Sequence, residues 1–462
     1  MSDEKSDGSR GHDVPVAHAL NDFMSTGWAD TQLVGLTPAA AVSVAAERRK
    51  KLSSMYPGQV LRIDAGPLKV RSNDTDYRYR PDSSFAWLVG MEAGDATPDA
   101  VLVMKPTADG HDSTLFIRPR STRDTEAFYR DARYGEFWVG RVLTVEETQT
   151  RYSIKSAHIE TLGAALSGKD PITLADSSFE TALSEMRLIK DSYEISEMQK
   201  AVDATARGFE DMVRVLPAAV SHKRGERIIE SAFFGRARLE GNDLGYNTIA
   251  ASGSHACILH WIRNDGDVRS GDLVLIDAGI EVDSYYTADI TRTLPVDGKF
   301  SEAQRKIYML VYEAQRAAMA AVKPGACFKD INLAGQEVLA KGLEAMGVLP
   351  VTAEESMKPE VGLHRRWSVH GVSHMLGMDV HDCAQARKEQ YAEGVLAAGM
   401  ILTVEPGLYI HPDDELFPAE YRGIGVRIED DVLVTETGFR NLSAGLPAHP
   451  DEVEVWMANL LR

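Results

Sequence analysis

The chain has 462 residues, of which 44% are hydrophobic and 26% are charged. These fractions are typical of soluble globular proteins, so they argue against fibrous, disordered and membrane-embedded classes, and a chain of this length predicts two domains. The formal net charge of −19 repels polyanions, and no cluster of Lys and Arg is large enough to offset it. We therefore expect no nucleic-acid partner.

The segment from Met1 to Val14 is polar and lacks the apolar core of a signal peptide. Cys257, Cys327 and Cys383 are too few and too scattered for a disulfide framework, and no Cys-x-x-Cys pair offers a zinc site. We expect a cytoplasmic protein that does not contact a membrane, with a disordered tail and lead-in over residues 1–40.

A first domain of α/β type is predicted over residues 41–180. Apolar, strand-like runs at residues 99–104 and 113–118 alternate there with polar turns and short helical stretches. The turn-forming cluster at residues 167–171 marks the end of this domain, and a connecting stretch follows up to Arg187.

The second domain, residues 187–462, is predicted to hold two long helices against a sheet. Asp191 with Glu194, and Ser301 with Gln304, have the spacing of a capping box at a helix start. Each is followed by an apolar stripe at helical spacing, and Pro324-Gly325 ends the second helix. The stripes are Ile195, Met198, Val202, Phe209 and Val213, then Ile307, Val311, Ala314 and Ala318.

The predicted sheet consists of short runs rich in β-branched residues, at 273–276, 290–294, 401–404 and 426–428. An acid lies beside each run. Residues 274–277 and 402–405 resemble each other, which can reflect duplication or chance, because apolar runs ending in an acid are common.

Asp277 and Asp289 would lie on one face of a hairpin that turns at Asp283-Ser284. Both are six residues from Asp283, and side chains alternate along a strand with period two, so the carboxylates would lie roughly 5 Å apart if directly opposed. Two such acids repel each other in a sheet interior, and a divalent cation relieves both the repulsion and the desolvation.

Glu405 and Glu429 each follow an apolar strand residue and pose the same problem of buried negative charge, and His374 lies in the glycine-containing stretch of residues 370–374. Any one of these acids is more simply interpreted as a turn residue or the partner of a surface lysine, but that interpretation does not explain all of them together. An oxygen-rich donor set with one imidazole suits two Mn²⁺ ions, with Co²⁺, Fe²⁺ or Zn²⁺ as alternatives. Two such ions can share a hydroxide and polarise a carbonyl, which is the chemistry of hydrolysis.

The motifs resemble the pita-bread metallopeptidases and, among them, the aminopeptidase P family. The resemblance extends from about Val70 to the C-terminus and is strongest beyond Arg187. It implies a creatinase/prolidase-like N-terminal α/β domain followed by a pita-bread catalytic domain. The matching segments occur in the family's order: residues 246–253, 258–260, 271–279, 288–293, 370–382, 403–409 and 421–431.

The same resemblance implies an activity and a ligand set. The enzyme would hydrolyse the N-terminal Xaa-Pro bond of peptides by attack of a metal-bridging hydroxide, and would be a homodimer or homotetramer. Asp277 would bind one metal, His374 and Glu405 the other, and Asp289 and Glu429 would bridge them. His260, His370 and His381 match active-site histidines, and Glu405 resembles an acid that moves protons between water and the leaving nitrogen.

Arg427 lies two residues before Glu429 and should share its strand face, where it could steady the metal carboxylates; a surface salt bridge is the alternative. By resemblance it would join Asp74 and His381 in a hydrogen-bonded relay. Arg187 resembles an arginine near the domain junction. Trp138 resembles a tryptophan that reaches a neighbouring subunit's active site, although core packing is equally expected. Tyr409 lies within a matched segment and is a further candidate for the substrate site.

Three alternatives remain open. Prolidase has the same five metal ligands but cleaves only Xaa-Pro dipeptides, so cleavage of a tripeptide would distinguish the two. A catalytically inactive pita-bread protein that binds peptides has typically lost metal ligands, whereas all five are present here. Creatinase-like amidinohydrolases lack this metal set.

Overall fold

The computed structural model describes residues 17–29, 31 and 33–462. The chain divides into two compact units, the first formed by Met1–Met91 and Asp95–Pro171 and the second by Glu92–Gly94 and Ile172–Arg462. The main division follows Pro171, at the end of the turn-forming cluster of residues 167–171.

The first unit has mixed α/β structure. Its helices are α1 His18–Met24, α2 Val42–Met55, α3 Ser83–Val89, α4 Ala127–Arg130, α5 Glu136–Val139, α6 Val145–Tyr152 and α7 Leu162–Leu166. Its strands are β1 Leu61–Asp64, β2 Val70–Ser72, β3 Thr75–Asp76, β4 Val101–Thr107, β5 Gly110–Ile117 and β6 Lys155–His158. The main sheet has the order β1-β4-β5-β6, and its last pair is parallel.

Part of the segment predicted as tail and lead-in is ordered in the structure. Helix α1 is followed by Trp28, whose ring contacts the ring of Phe128 edge-on at a centroid distance of 5.2 Å. Arg123 Nη1 donates to the Ala29 carbonyl at 3.1 Å. Aromatic packing and hydrogen bonds thus attach the lead-in to the first unit. Residues 1–16, which include the predicted disordered tail Met1–Val14, lie outside the described residues.

The helices of the second unit begin where capping boxes were predicted. Asp191 and Ser301 each accept from the third residue of their helix, and Glu194 and Gln304 reach back to the cap backbone. Four of the five apolar residues of the first stripe and all four of the second are buried. The helices are α8 Ser177–Arg187, α9 Ser192–Arg214, α10 Leu216–Val220, α11 Gly225–Glu240, α12 Glu302–Ala321, α13 Phe328–Ala345, α14 Ala353–Ser356 and α15 Pro450–Leu460.

The strands of the second unit form several small antiparallel sheets. They are β7 Asp243–Leu244, β8 Ile249–Ser252, β9 Leu273–Ala278, β10 Ile280–Glu281, β11 Ile290–Pro295, β12 Ile401–Val404, β13 Gly407–Tyr409, β14 Gly425–Arg427, β15 Asp430–Val434 and β16 Phe439–Asn441. Two sheets have three strands each, in the orders β11-β9-β8 and β12-β15-β16, and β13 pairs with β14. All four predicted runs are therefore strands, with ends within two residues of the prediction.

The core of the second unit lies between the long helices and these sheets. Ala318 of α12 and Ile331 of α13 pack with Leu402, Val404 and Val432 of the β12–β15 sheet. Acids at the strand ends therefore project from an apolar scaffold. No helix of the described ranges has the length and apolar composition needed to span a bilayer.

The register of the β9–β11 hairpin differs from the prediction. Asp277 pairs with Thr291, and Glu281 forms a bridge with Thr287, so the turn is centred on Ser284. Direct opposition of Asp277 and Asp289 was therefore wrong. The two acids are diagonal neighbours on one face of the hairpin, because a shift of two residues preserves the alternation of side chains.

Candidate metal centre

Nine of the predicted site residues of the second unit line one pocket of about 530 Å³. Its walls include strand ends from both three-stranded sheets and the loop after β8. The pocket is lined by all five predicted metal ligands and four further predicted residues: Asp277, Asp289, His374, Glu405, Glu429, His260, His370, His381 and Arg427.

Three of these residues form the centre of the cluster. Asp289, His374 and Glu429 each offer a ligand atom, and these atoms lie within 4.8 Å of one another, a spacing that could hold a metal ion. His374 Nε2 lies 3.2 Å from Asp289 Oδ2. Burial lowers the pKa of His374, but the hydrogen bond to Asp289 and the charges of Glu405 and Asp289 outweigh it and raise the pKa to about 9.

His374 reaches Glu405 because its segment runs along β12. Thr403 N donates to the His374 carbonyl at 2.9 Å, and Glu405 N donates to Val372 O at 2.8 Å. These bonds bring His374 Nε2 to 3.6 Å from Glu405 Oε1. On its other edge β12 pairs with β15, and Val404 lies opposite Asp430. Because the strands are antiparallel, Glu405, after Val404, and Glu429, before Asp430, occupy neighbouring positions.

Asp277 is joined to the cluster by a tyrosine. The Tyr246 hydroxyl lies 2.6 Å from Asp277 Oδ1 and 2.5 Å from Asp289 Oδ1. A hydroxyl has one proton, so it can donate to only one of these carboxylates at a time. The other contact brings two oxygen atoms together and needs either a protonated carboxyl group or a cation.

The electrostatics of the pocket favour the binding of positive charge. Burial, together with the neighbouring carboxylates, raises the pKa of Glu405 to about 7 and that of Glu429 well above its ordinary value. Burial also raises the pKa of Asp277, although Arg427 opposes the rise. Asp431 has a strongly raised pKa from burial and the charge of Asp289. Divalent cations bound by the acids would favour their charged forms, so this donor set fits metal ions.

Arg427 and Tyr409 form a second layer behind the carboxylates. Arg427 is 4% exposed, and its Nη2 lies 2.5 Å from Asp277 Oδ2, so it is not in a surface salt bridge. Arg427 Nη1 donates to the Tyr409 hydroxyl at 2.9 Å. Tyr409 lies 2.7 Å from His370 Nε2. The Arg427 guanidinium thus connects a site carboxylate to a site histidine through one phenol.

His370 has a defined tautomer in this arrangement. Its Nδ1 lies 2.7 Å from Gly371 O, which can only accept, so Nδ1 carries the proton and Nε2 accepts from Tyr409. Burial and the charge of Arg427 lower the pKa of His370 to about 4, so the ring is neutral at pH 7.

His381 and His260 line the same pocket with fewer contacts. The His381 ring lies 4.6 Å from the His374 ring, nearly perpendicular to it, and burial and the charge of His374 lower its pKa. His260 is exposed in the pocket.

Arg187 lies behind the segment that carries His374 and His381. Its Nη2 lies 2.8 Å from Asp379 Oδ2 and also contacts Asp382 Oδ1. Lys190 Nζ donates to Asp382 Oδ2 at 2.7 Å, and Asp382 is 1% exposed. Arg187 and Lys190 therefore attach this segment to the end of α8 and the residues that follow it.

Asp74 and Trp138 belong to the first unit. Asp74 lies between β2 and β3 and lines a pocket of about 390 Å³ within that unit. Trp138 is 61% exposed, and its Nε1 donates to Tyr129 O at 2.6 Å. The relay through Asp74 and the contact of Trp138 with a neighbouring subunit stay predictions.

Three residues of the site were not singled out from the sequence. Tyr246 bridges the two aspartates, Thr291 Oγ1 donates to Glu429 Oε2 at 2.6 Å, and Asp431 Oδ2 accepts from Asp289 N at 3.1 Å. Tyr246 opens a segment that had been noted for its resemblance. Thr291 carried a signal too, because a polar residue two positions from Asp289 shares its strand face.

Two family models match most of the chain. The model of metallopeptidase family M24 matches residues 196–436, and the aminopeptidase P N-terminal domain matches residues 45–168. The first range falls within the second unit and the second range, apart from residues 92–94, falls within the first unit. The first match contains every residue that lines the pocket.

Curated relatives and solved structures are similar over almost the whole chain. Xaa-Pro aminopeptidase 1 of Streptomyces coelicolor is 51% identical, covering 96% of this chain and 93% of the relative. Xaa-Pro aminopeptidase of Escherichia coli is 36% identical over 89% of this chain and 96% of the relative. The structure of E. coli aminopeptidase P with the inhibitor Pro-Leu has a TM-score of 0.79 at 32% identity, covering 91% of this chain and 99% of that chain. A zinc-substituted E. coli structure in complex with product has a TM-score of 0.79 at 31% identity, covering 92% and 100%.

Proposed function

The chain belongs to metallopeptidase family M24 and, within it, to the Xaa-Pro aminopeptidases, and on this premise we propose that it uses two divalent metal ions to hydrolyse the N-terminal Xaa-Pro bond of peptides. Its fold is an aminopeptidase P N-terminal domain followed by a pita-bread catalytic domain. The observation that carries the proposal is the convergence of four carboxylates and His374 in one pocket.

Five residues would hold the metal ions: Asp277, Asp289, His374, Glu405 and Glu429. Tyr246 lies between the two aspartates, and the pKa values of Asp277 and Glu429 are raised. Both observations support this assignment, since bound positive charge would relieve the repulsion between the acids and favour their charged forms. When bound, such ions acidify water and polarise the scissile carbonyl. The oxygen-rich donors favour Mn²⁺, and the zinc-substituted relative indicates that this type of site also accepts zinc.

The surrounding side chains would handle protons and orientation. Glu405 can take a proton from water and return it to the leaving nitrogen, because it lies in the pocket beside His374 and His370. His370 is kept neutral and oriented by Tyr409 and Gly371. The only ring proton of His370, on Nδ1, is bound to the Gly371 carbonyl. The ring therefore lines the site in a fixed orientation and has no proton to donate to the substrate.

A bond before proline makes specific demands on such a site. The proline nitrogen has no hydrogen, so it must be protonated as it leaves, and its ring needs an apolar surface. Ile249, Leu259, Ile262 and Val380 line the same pocket as the acids and offer that surface. The free α-amine of the peptide would lie near the carboxylates, which would limit cleavage to one residue.

The location, the assembly and the partners of the protein remain predictions. Cys257, Cys327 and Cys383 form no disulfide with one another, which is compatible with the expected cytoplasmic location. A homodimer or homotetramer is expected from the resemblance alone. The proposed partners are peptides with proline in second position.

Hydrolysis assays with three peptides test the proposal. Metal-stripped protein is supplied with Mn²⁺ or with buffer and then given Ala-Pro-Ala, the dipeptide Ala-Pro, or Ala-Ala-Ala as a control. Manganese-dependent release of alanine from Ala-Pro-Ala, with little from Ala-Ala-Ala, is expected. Cleavage of Ala-Pro alone would indicate a prolidase, and no cleavage despite bound metal would indicate a peptide-binding protein.

A further inference from the structure

The loop between β8 and β9 contributes part of the pocket wall without any metal ligand. We call residues 253–266 the pocket loop, since its Leu259, His260 and Ile262 line the pocket. His260 is exposed, and no hydrogen bond to its ring is found among the described residues. The position of this ring therefore depends on how the backbone of the pocket loop is held.

One buried carboxylate holds both ends of the pocket loop. Glu226 on α11 is 0% exposed. Its Oε1 accepts from Ser252 N at 2.9 Å and lies 2.7 Å from His255 Nδ1, at the start of the loop. Its Oε2 accepts from Trp261 Nε1 at 2.8 Å and from Gly266 N at 2.7 Å, at the end of the loop.

The packing around this carboxylate leaves little freedom. The rings of His255 and Trp261 stack with centroids 3.9 Å apart. A Cβ added at Gly266 would lie 2.6 Å from His255 Cε1 and 2.8 Å from Glu226 Oε2, so only glycine fits there. A buried carboxylate with four donors is a stable arrangement, whereas donors left without an acceptor cost about 1–3 kcal/mol each.

Trp261 connects this cluster directly to the pocket. It follows His260 in the chain, and the residue is 9% exposed because its side chain packs in the core with Ile249 and Leu275. The Trp261 indole is held at its ring face by His255 and at Nε1 by Glu226. These two contacts restrict the backbone next to His260. The hydrogen bond from Trp261 to Glu226 is thus one residue away from a side chain that faces substrate.

We propose that Glu226 is a positioning residue that sets the place of His260 in the active site through the pocket loop. The proposal rests on the proposed function, in which His260 faces the peptide. Glu226 itself does not line the catalytic pocket. Its effect on catalysis should therefore be transmitted through His260.

A double-mutant cycle tests this coupling. The variants are Glu226→Gln, His260→Ala and the double variant, all loaded with Mn²⁺ and assayed for kcat/KM on Ala-Pro-Ala. Glu226→Gln keeps the size of the side chain but replaces one acceptor oxygen with a donor, so at least one loop donor loses its partner. Glu230→Gln, on the same helix and away from the loop contacts, is the matched control. Thermal midpoint and metal content are measured for each protein.

The expected result is that Glu226→Gln lowers kcat/KM by about 10- to 100-fold in the wild-type background and by less than about twofold when His260 is already alanine. An equal loss of kcat/KM with His260 present and with His260→Ala would overturn the inference. It would mean that Glu226 affects activity through general stability and not through His260. An unchanged kcat/KM for Glu226→Gln would overturn it as well.

A second variant covers the case in which Glu226→Gln does not fold. Trp261→Phe keeps an aromatic ring beside His255 and removes one donor to Glu226, and it is carried through the same cycle with the same expected coupling to His260. If the unaltered protein fails to cleave Ala-Pro-Ala, the proposed function fails and this inference falls with it. If cleavage occurs but His260→Ala has no effect, only the inference fails.

Discussion

Arg427 and Asp277 form a buried ion pair in which Nη2 lies 2.5 Å from Oδ2. The same guanidinium donates to Tyr409 at 2.9 Å and to Thr291 Oγ1 at 3.2 Å. An arginine can make these three contacts at once because its donors form a rigid fork, whereas a lysine offers a single ammonium group.

Replacing Arg427 with lysine should therefore lower activity although the charge is kept. We expect kcat/KM for Ala-Pro-Ala to fall by about 10- to 100-fold, the range found when residues that orient metal ligands are changed. The control is Arg440→Lys, at an exposed position of β16, which should leave kcat/KM unchanged. An Arg427→Lys variant as active as the unaltered protein would contradict the orienting role.

Removing the Tyr246 hydroxyl should destabilise the metal-free protein more than the metal-loaded one. The hydroxyl is the donor placed between Asp277 and Asp289, and a buried acceptor without a donor costs about 1–3 kcal/mol. Bound cations would take over this role. Thermal midpoints of Tyr246→Phe with and without Mn²⁺ measure the difference, and Tyr312→Phe serves as control. An equal loss of thermal midpoint with and without Mn²⁺ would show that the Tyr246 hydroxyl does not stabilise the two carboxylates in the metal-free protein.

The metal-free protein should become less stable as the pH rises from about 4.5 to 7. Burial raises the pKa of Glu405 from 4.5 to about 7, so the folded state binds this proton more tightly than the unfolded state. The stability from that proton is fully present below pH 4.5 and is lost as pH passes 7. His374, whose pKa is raised to about 9 despite burial, acts in the same direction between pH 6.5 and 9.

Unfolding by urea at several pH values, with and without Mn²⁺, measures this dependence. The metal-loaded protein should be much less sensitive over the same range, because metal binding displaces the protons. A metal-free protein whose stability rises between pH 5 and 8 would contradict the expected protonation of the site.

Asp382 should make the protein less stable as the pH falls, which is opposite to the pH dependence expected from Glu405 and His374. Burial raises the pKa of Asp382, but Arg187 and Lys190 outweigh this and lower the pKa from 3.8 to about 2. The stability from this carboxylate is present above about pH 4 and is lost as the pH falls towards 2. Asp382→Asn should lower the free energy of unfolding at pH 7 by about 3–5 kcal/mol, because two buried cations lose their counter-charge.

Chemical denaturation at pH 7 and pH 3 measures the contribution of Asp382. The exposed Asp413→Asn is the matched control and should change stability by less than about 0.5 kcal/mol. A loss for Asp382→Asn that is larger at pH 3 than at pH 7 would contradict the sign of the shift.

Several local features of this protein could be predicted from the sequence because they depend on neighbours in the chain. The capping boxes at Asp191 and Ser301 join residues three apart, and the apolar stripes follow the helical period. The strands that lead to Asp277 and Glu405 were recognisable from their composition. The candidate ligands could be named because each acid lies next to an apolar run.

The hairpin register was the first feature that the sequence left undetermined. A turn at Asp283-Ser284 is compatible with more than one pairing, and the alternation of side chains is the same after a shift of two residues. In the structure Asp277 pairs with Thr291, and β9 lies between β8 and β11. This pairing places Thr291, rather than Asp289, opposite Asp277.

The sequence by itself determined the kinds of groups in the site: acids and a histidine at the ends of apolar strands. Only the tertiary structure decided which groups meet, since Tyr246 contacts Asp289 across 43 positions and Arg427 contacts Asp277 across 150. The pKa shifts and the four donors around Glu226 likewise depend on burial among distant segments. Local sequence sets secondary structure through short-range contacts, whereas hydrogen bonds and charges act through space between residues that folding brings together.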